Sequence, residues 1–125
     1  MTATAARHAA GDPTAVLSQA TVRAARLLGV SQAALADVLG VSAATMSRVA
    51  SGQKSLEPGS KPWQLAALFV RLFRALDAIV GSDDAARAWL RGANAGLGGV
   101  PIELIRDPAG LSRVVDYLDA SRARL

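Results

Sequence analysis

The side-chain types that most often perform catalysis or bind metal are scarce in this 125-residue chain. It has no cysteine, and its single histidine, His8, lies in the alanine-rich N-terminal stretch. A zinc site needs several such ligands, so no metal site is expected. The adjacent acids Asp83 and Asp84 stand at a predicted helix start, where negative charge complements the helix dipole. The glycine-rich residues 96–99 lack the preceding strand and the following Gly-Lys-Ser/Thr of a phosphate loop. We therefore expect no catalytic residue, no cofactor and no enzymatic activity; an enzyme of unrecognised type is the weakest alternative.

Positive charge is concentrated in the first two-thirds of the chain. The net charge is +4, and residues 1–82 hold eight Lys and Arg against four acidic residues, whereas residues 83–125 hold six of each. A basic front part is typical of proteins that neutralise nucleic-acid phosphates. Small basic domains without such a partner are also common, so charge alone leaves both interpretations open.

Residues 28–49 have the pattern of two short helices joined by a sharp turn. Gly40 permits the positive φ that such a turn requires, and Ser42 is a good N-cap for the second helix. Ala36 is small where the two helices approach most closely. Five apolar residues are spaced to form the shared core: Leu35, Leu39, Val41, Met46 and Val49. This geometry suits insertion of the second helix into a DNA major groove, and the alternative is a helical hairpin that only packs within the protein.

Capping residues and apolar periodicity predict the remaining elements, and none of them is a strand. The expected fold is all-α, a small helical bundle. The predicted segments are a helix from Pro13 to Leu28 with Asp12 as N-cap, helices over 32–39, 43–51, 62–80, 83–91 and 108–121, a linker over 92–99 and a helical turn over 101–105.

The same signals predict the domain organisation. We divide the chain into a loose leader (1–11), a helix-turn-helix domain (12–61) and a C-terminal domain (62–125), with the long apolar helix 62–80 shared between the last two. The wide apolar face of that helix predicts self-association as a homodimer or within a larger hetero-oligomer. No secretory signal or membrane span is evident, which predicts a soluble cytoplasmic protein without a membrane partner.

Residues 26–54 resemble the Xre/Cro-type helix-turn-helix of phage repressors and bacterial regulators, including the closing Ser-Gly-Gln-Lys of residues 51–54. The resemblance implies operator DNA as a partner. The implied DNA-binding residues are Gln32, Ser42, Ala43, Ala44, Thr45, Ser47, Arg48 and Lys54. Arg48 can read guanine through two hydrogen bonds worth about 1–3 kcal/mol, whereas the alanines offer only methyl contacts. Because specific binding typically needs about 4–10 kcal/mol of discrimination, a dimer or a larger complex is expected.

A second resemblance covers residues 87–118. Trp89-Leu90, Asn94 before Leu97-Gly98, Pro101 before apolar residues, and then Gly110, Val114 and Leu118 are similar to the toxin-binding domain of Xre/MbcA/ParS antitoxins. The last eight residues depart from the commoner ending of that family. The resemblance implies a type II antitoxin that inhibits a RES-domain toxin, one that consumes NAD or transfers ADP-ribose, and that represses its own operon as part of the complex.

The implied contact mode is occlusion of the toxin active site by the C-terminal segment. The expected toxin-binding residues are Leu97, Val100, Pro101, Ile102, Leu104, Ile105, Arg113, Tyr117, Arg122, Arg124 and Leu125. In the segment 100–105 some apolar side chains are expected to enter the core and the rest to form a partner-binding patch. Arg122 and Arg124 have a simpler alternative as solvated residues at a helix end. Trp63 and Trp89 are interpreted as core residues. The second functional hypothesis is a stand-alone Xre-type repressor whose C-terminal part dimerises or binds a small ligand.

Overall fold

The computed structural model describes residues 13–123, which form seven helices. They are α1 (Pro13–Leu27), α2 (Gln32–Leu39), α3 (Ala43–Ala50), α4 (Lys61–Val80), α5 (Asp83–Arg91), α6 (Pro101–Leu104) and α7 (Pro108–Ala123). Within that range the extended structure is limited to one isolated antiparallel bridge, between Asn94 and Gly99. The predicted all-α fold is therefore confirmed. The expectations for the leader, His8, Asp12, Arg124 and Leu125 lie outside the described residues.

Serine residues are the N-caps of four of these helices. The hydroxyls of Ser31, Ser42, Ser60 and Ser82 each accept a hydrogen bond from the backbone N–H three residues later, at 3.1 to 3.2 Å. A cap of this kind stabilises a helix by about 1 kcal/mol. Three of the caps match the predicted ones. The fourth, Ser60, starts α4 at Lys61, one residue before the predicted start.

The corner between α2 and α3 is built as expected. Gly40 ends α2 with φ 69°, in the left-handed region that favours glycine, and the N–H of Val41 donates to the carbonyl of Ala36 at 3.0 Å. The two helices are bent by 110° relative to each other. Within residues 13–123 no single helix is long and apolar enough to cross a membrane. Only the bent pair α2 and α3, counted together, has the length and apolar composition of a membrane span.

Helix α4 is the centre of the bundle. Phe69, Leu72 and Leu76 are fully buried in it, and the helix packs against α1 and α2 as well as α5 and α7. Burying each such side chain contributes roughly 1.5–3 kcal/mol. The most extensive helix packing joins α4 to α7. There the predicted apolar stripe of α7 is confirmed as buried: Leu111, Val114, Val115 and Leu118. At the solvent edge of this packing Arg71 and Asp119 form an ion pair at 2.5 Å.

Two arginines of α5 connect the later helices to the turn that leads into α2. Arg87 donates to the carbonyl of Leu27 at 2.8 Å. Arg91 donates to the carbonyls of Leu28 at 3.2 Å and Gly29 at 2.6 Å. Arginines in this position satisfy the unpaired carbonyls at the C-terminus of α1. The helix-turn-helix segment and the C-terminal region are thus joined by polar contacts as well as through α4. The predicted division of the chain at residues 61/62 stays a prediction.

Candidate functional site

The outer face of α3 carries small and polar side chains. Ala43, Ala44, Ser47 and Arg48 are exposed there, while Met46 and Val49 on the opposite face are buried. Ser42 is exposed too, but its hydroxyl is engaged, since it accepts from the N–H of Thr45 and donates to the hydroxyl of Thr45 at 3.0 Å. The apolar underside orients the helix, so that the residues predicted to face DNA form one accessible surface. Their role in DNA binding remains a prediction.

The other predicted DNA-binding residues flank α3. Gln32 is exposed at the start of α2 and borders a small cavity of about 60 Å³ together with Met46 and Ala50. On another side, Thr45 and Lys54 line a shared cavity of about 240 Å³. The loop after α3 brings Lys54 close, because its N–H donates to the carbonyl of Arg48 at 3.2 Å. The structure thus gathers all the predicted residues around α3.

Two further cations lie beside the end of α3, and sequence reasoning did not assign them to DNA binding. Arg23 and Arg26 of α1 are exposed and border a cavity of about 260 Å³ with Val49, Ser51 and Gly52. In the sequence, these two arginines counted only as part of the excess of positive charge in residues 1–82. Their position next to α3 depends on how α1 packs across it, which the spacing of residues along α1 does not determine.

This surface is better equipped to bind phosphates than to read bases. Arg48 is the one side chain on the outer face of α3 with the guanidinium geometry that pairs with guanine, worth about 1–3 kcal/mol. Arg23, Arg26 and Lys54 can contact backbone phosphates, which gives affinity that falls as salt rises. We therefore expect a single copy to discriminate only weakly between DNA sequences, which stays a prediction.

The C-terminal region is organised around a tight turn at Asn94. The Oδ1 atom of Asn94 accepts a hydrogen bond from the backbone N–H of Leu97 at 3.1 Å. The backbone N–H of Asn94 donates to the carbonyl of Gly99 at 2.9 Å. Gly98 has φ 72°, so the predicted chain reversal at Gly98-Gly99 is confirmed. The turn delivers the chain directly into α6, which packs between α5 and α7.

Three residues expected to contact a toxin face inward instead. Leu97, Pro101 and Ile105 are buried, with Leu97 only 1% exposed and Ile105 fully enclosed. Leu97 and Ile105 belong to the hydrophobic core and Pro101 is buried at the start of α6, so the prediction of direct toxin contact is corrected for these three. Val100, Ile102, Leu104 and Tyr117 are half-buried, and Arg113 and Arg122 are exposed. These six remain accessible to a partner, and Arg124 and Leu125 lie outside the described residues.

An aromatic pair lies next to the Asn94 turn. The rings of Trp89 and Tyr117 stack with centroids 6.4 Å apart, and both side chains are half-buried. Gly96 lies against Tyr117, since a Cβ atom at Gly96 would be 2.9 Å from the ring. The guanidinium of Arg113 lies beside Gly98. Tryptophan, tyrosine and arginine are the residues most enriched at energetically important interface positions. Trp89 packs against the core, as the sequence predicted, and is half-buried there.

The residues considered for catalysis have structural positions. Asp83 and Asp84 occupy the first turn of α5, and Asp84 accepts a hydrogen bond from Arg87. Residues 96–99 form the turn at Asn94 rather than a phosphate loop. Within residues 13–123 no group of three or more His, Cys, Asp or Glu side chains is placed to hold a metal ion.

Comparisons with known proteins match both regions. Residues 7–71 match the antitoxin Xre-like helix-turn-helix domain. Residues 75–124 match the antitoxin Xre/MbcA/ParS C-terminal toxin-binding domain. A search of curated proteins gave no match.

Proposed function

Because the chain belongs to the Xre/MbcA/ParS family of antitoxins, we propose that it neutralises a RES-domain toxin and represses its own operon as part of the complex. The toxin would be an enzyme that consumes NAD or transfers ADP-ribose. We propose that the antitoxin binds the toxin in the cytoplasm, and that the antitoxin itself has no enzymatic activity and no cofactor. The match over residues 75–124 favours this function over a stand-alone Xre-type repressor, which would have no need of a toxin-binding domain.

The observation that carries the proposal is the surface formed by α6, the end of α5, the Asn94 turn and the adjoining face of α7, which we call the α6 surface. It combines half-buried aliphatic residues (Val100, Ile102, Leu104), the Trp89–Tyr117 stack and exposed Arg113. An apolar centre with aromatic anchors and a polar rim is typical of protein interfaces. The buried Leu97, Pro101 and Ile105 support this surface from below.

We propose that inhibition is occlusion. The α6 surface would hold the toxin while the end of α7, with exposed Arg122 followed in sequence by Arg124 and Leu125, covers the entrance of its active site. Arg122 and Arg124 would pair with acidic side chains of the toxin beside that entrance.

Repression would use the outer face of α3 in a complex with more than one antitoxin copy. One copy offers a single bidentate guanine contact through Arg48, whereas two or more copies add base contacts and multiply phosphate contacts. We therefore propose a homodimer or a larger hetero-oligomer with the toxin as the species that binds the operator.

The test is co-expression with the toxin encoded beside this chain. We expect the full chain to restore growth, and a variant lacking residues 121–125 to lose inhibition of NAD consumption while still binding the toxin. Arg106→Ala, an exposed arginine outside the α6 surface and the α7 end, is the matched control. Failure of the full chain to restore growth would reject neutralisation, and unchanged inhibition by the shortened chain would reject only the role of the tail.

A further inference from the structure

An open groove separates α1 from α4 near the end of α7. It has a volume of about 630 Å³. Its floor is aliphatic, formed by Val16, Leu17, Ala20, Ala67 and Val70, and its rim carries three arginines, Arg71, Arg74 and Arg122. Val16 is 53% exposed, the only large hydrophobic residue that is exposed in the described part of the chain. None of the DNA-binding candidates lines this arginine-rimmed groove.

The charges of the groove indicate an anionic occupant. None of the described residues that line it is acidic. Arg71 pairs with Asp119, but its side chain stays 63% exposed and its guanidinium has further donors. Arg74 and Arg122 are exposed, and among residues 13–123 neither forms an ion pair. An apolar floor under several cations complements a molecule with aliphatic groups flanked by negative charge.

The shape of the groove favours a helix over a small molecule. Small-ligand sites typically enclose about 70–90% of the ligand surface, which an open groove cannot do. The floor has no aromatic side chain on which a base could stack. An amphipathic helix needs to bury only one apolar stripe, and the small residues Ala20 and Ala67 leave room for its side chains.

We propose that the arginine-rimmed groove binds an acidic amphipathic helix of a partner protein, with aliphatic side chains on the floor and carboxylates against the arginines. A two-fold contact through this groove would place two arginine-rich patches face to face, so a second copy of this chain is a poor occupant. The N-terminal twelve residues are also a poor match, since they contain Arg7 and His8 and only one acid, Asp12. The proposal does not require toxin neutralisation or operator binding, although it shares Arg122 with the α7 end that we propose to cover the toxin active site.

Two synthetic helical peptides of about 18 residues, roughly five turns, are the probes. Both carry leucine along one face, and the flanking positions are glutamate in one peptide and lysine in the other. Binding of each labelled peptide to the full chain is followed by fluorescence anisotropy. We expect the glutamate peptide to bind and the lysine peptide to fail, with binding weakened by added salt.

Arg74→Glu tests the rim and Val16→Ser tests the floor, both at exposed positions. Arg106→Glu is the matched control, because it makes the same charge change on an exposed arginine that does not line the groove. We expect R74E to weaken the glutamate peptide by roughly three- to tenfold and to gain binding of the lysine peptide. V16S should weaken the glutamate peptide, and R106E should change its affinity by less than about twofold. Circular dichroism checks that all three variants fold.

The proposal is overturned if the glutamate peptide does not bind, if both peptides bind equally, or if R74E and R106E lose the same affinity. It is also overturned if dodecanoate binds the groove while the peptide does not, which would make it a small-molecule site. A fifth contrary result is a fall in oligomer mass caused by V16S, measured by sedimentation, because a second copy would then occupy the groove.

Discussion

The outer face of α3 and the α6 surface leave very different groups for a partner. On α3 the exposed residues are two alanines, a serine and one arginine, and the large apolar side chains point inward. On the α6 surface aliphatic and aromatic side chains remain half-exposed around Arg113. Apolar and aromatic anchors contribute most of the energy at protein interfaces, whereas phosphate contacts dominate affinity for DNA. From this comparison we propose a tight protein interface at the α6 surface and a weak, salt-sensitive DNA contact at α3.

The largest expected effect is at Gly110, which supports the α6 surface. A Cβ atom there would lie 1.9 Å from the carbonyl oxygen of Leu104, a backbone atom that cannot move without displacing α6. We expect Gly110→Ala to lower the free energy of unfolding by about 3 kcal/mol, the upper end of overpacking costs. Denaturant unfolding measures the loss.

Gly92→Ala is the matched control for this prediction. Its added Cβ would make ordinary contacts, the nearest at 3.5 Å, so the change should be below about 1 kcal/mol. Equal losses in the two variants would show that α6 does not need the close approach at Gly110.

The second effect is on toxin binding alone. Tyr117→Ala removes one ring of the stacked pair on the α6 surface, and we expect it to weaken toxin binding by about 2 kcal/mol, the scale of an interface hot spot. Operator binding by the free chain should be unchanged, because Tyr117 is remote in sequence and packing from α3. Titration calorimetry with the toxin measures the loss, and Ser112→Ala, an exposed change on α7, is the control. Unchanged toxin affinity in Tyr117→Ala would place the interface elsewhere.

The third effect tests whether α3 reads sequence. Arg48→Ala removes the bidentate contact, and we expect operator affinity of the complex to fall by about 1–2 kcal/mol while affinity for random duplex falls less. Fluorescence anisotropy with both duplexes at one salt concentration measures the two losses. Equal losses on the two duplexes would mean that Arg48 contacts phosphate rather than base.

The smallest effect is at Arg26, which the structure places beside the end of α3. We expect Arg26→Ala to weaken binding to every duplex alike and to reduce the salt slope of the affinity by about one for each copy bound. The comparison with Arg106→Ala, a cation outside this surface, isolates the effect. An unchanged slope would remove Arg26 from the DNA-binding surface.

The local features of the fold could be predicted from sequence. A serine N-cap accepts a hydrogen bond from a backbone N–H only three residues later. Ser31, Ser42 and Ser82 therefore predict the starts of α2, α3 and α5. The α2–α3 corner is local as well, since Gly40 allows the turn and the small, buried Ala36 allows the two helices to approach closely. Small errors remained at helix ends, with α1 one residue shorter and α7 two residues longer than expected.

The candidate site depends on tertiary packing, which the sequence does not encode locally. Helix α6 has only four residues, too few for a periodicity that would separate the buried Pro101 from the half-buried Ile102. The stacking of Trp89 on Tyr117 joins α5 to α7, so the spacing of residues within either helix does not reveal it. Arg23 and Arg26 approach α3 only through the packing of α1 across it.

The most direct test of the account is the NAD consumption of the purified toxin encoded beside this chain, measured against increasing amounts of the full chain. We expect consumption to fall in proportion to the chain added and to stop at a fixed molar ratio, because each active site is covered by one antitoxin tail. Consumption that continues unchanged with the chain in excess would contradict the central claim.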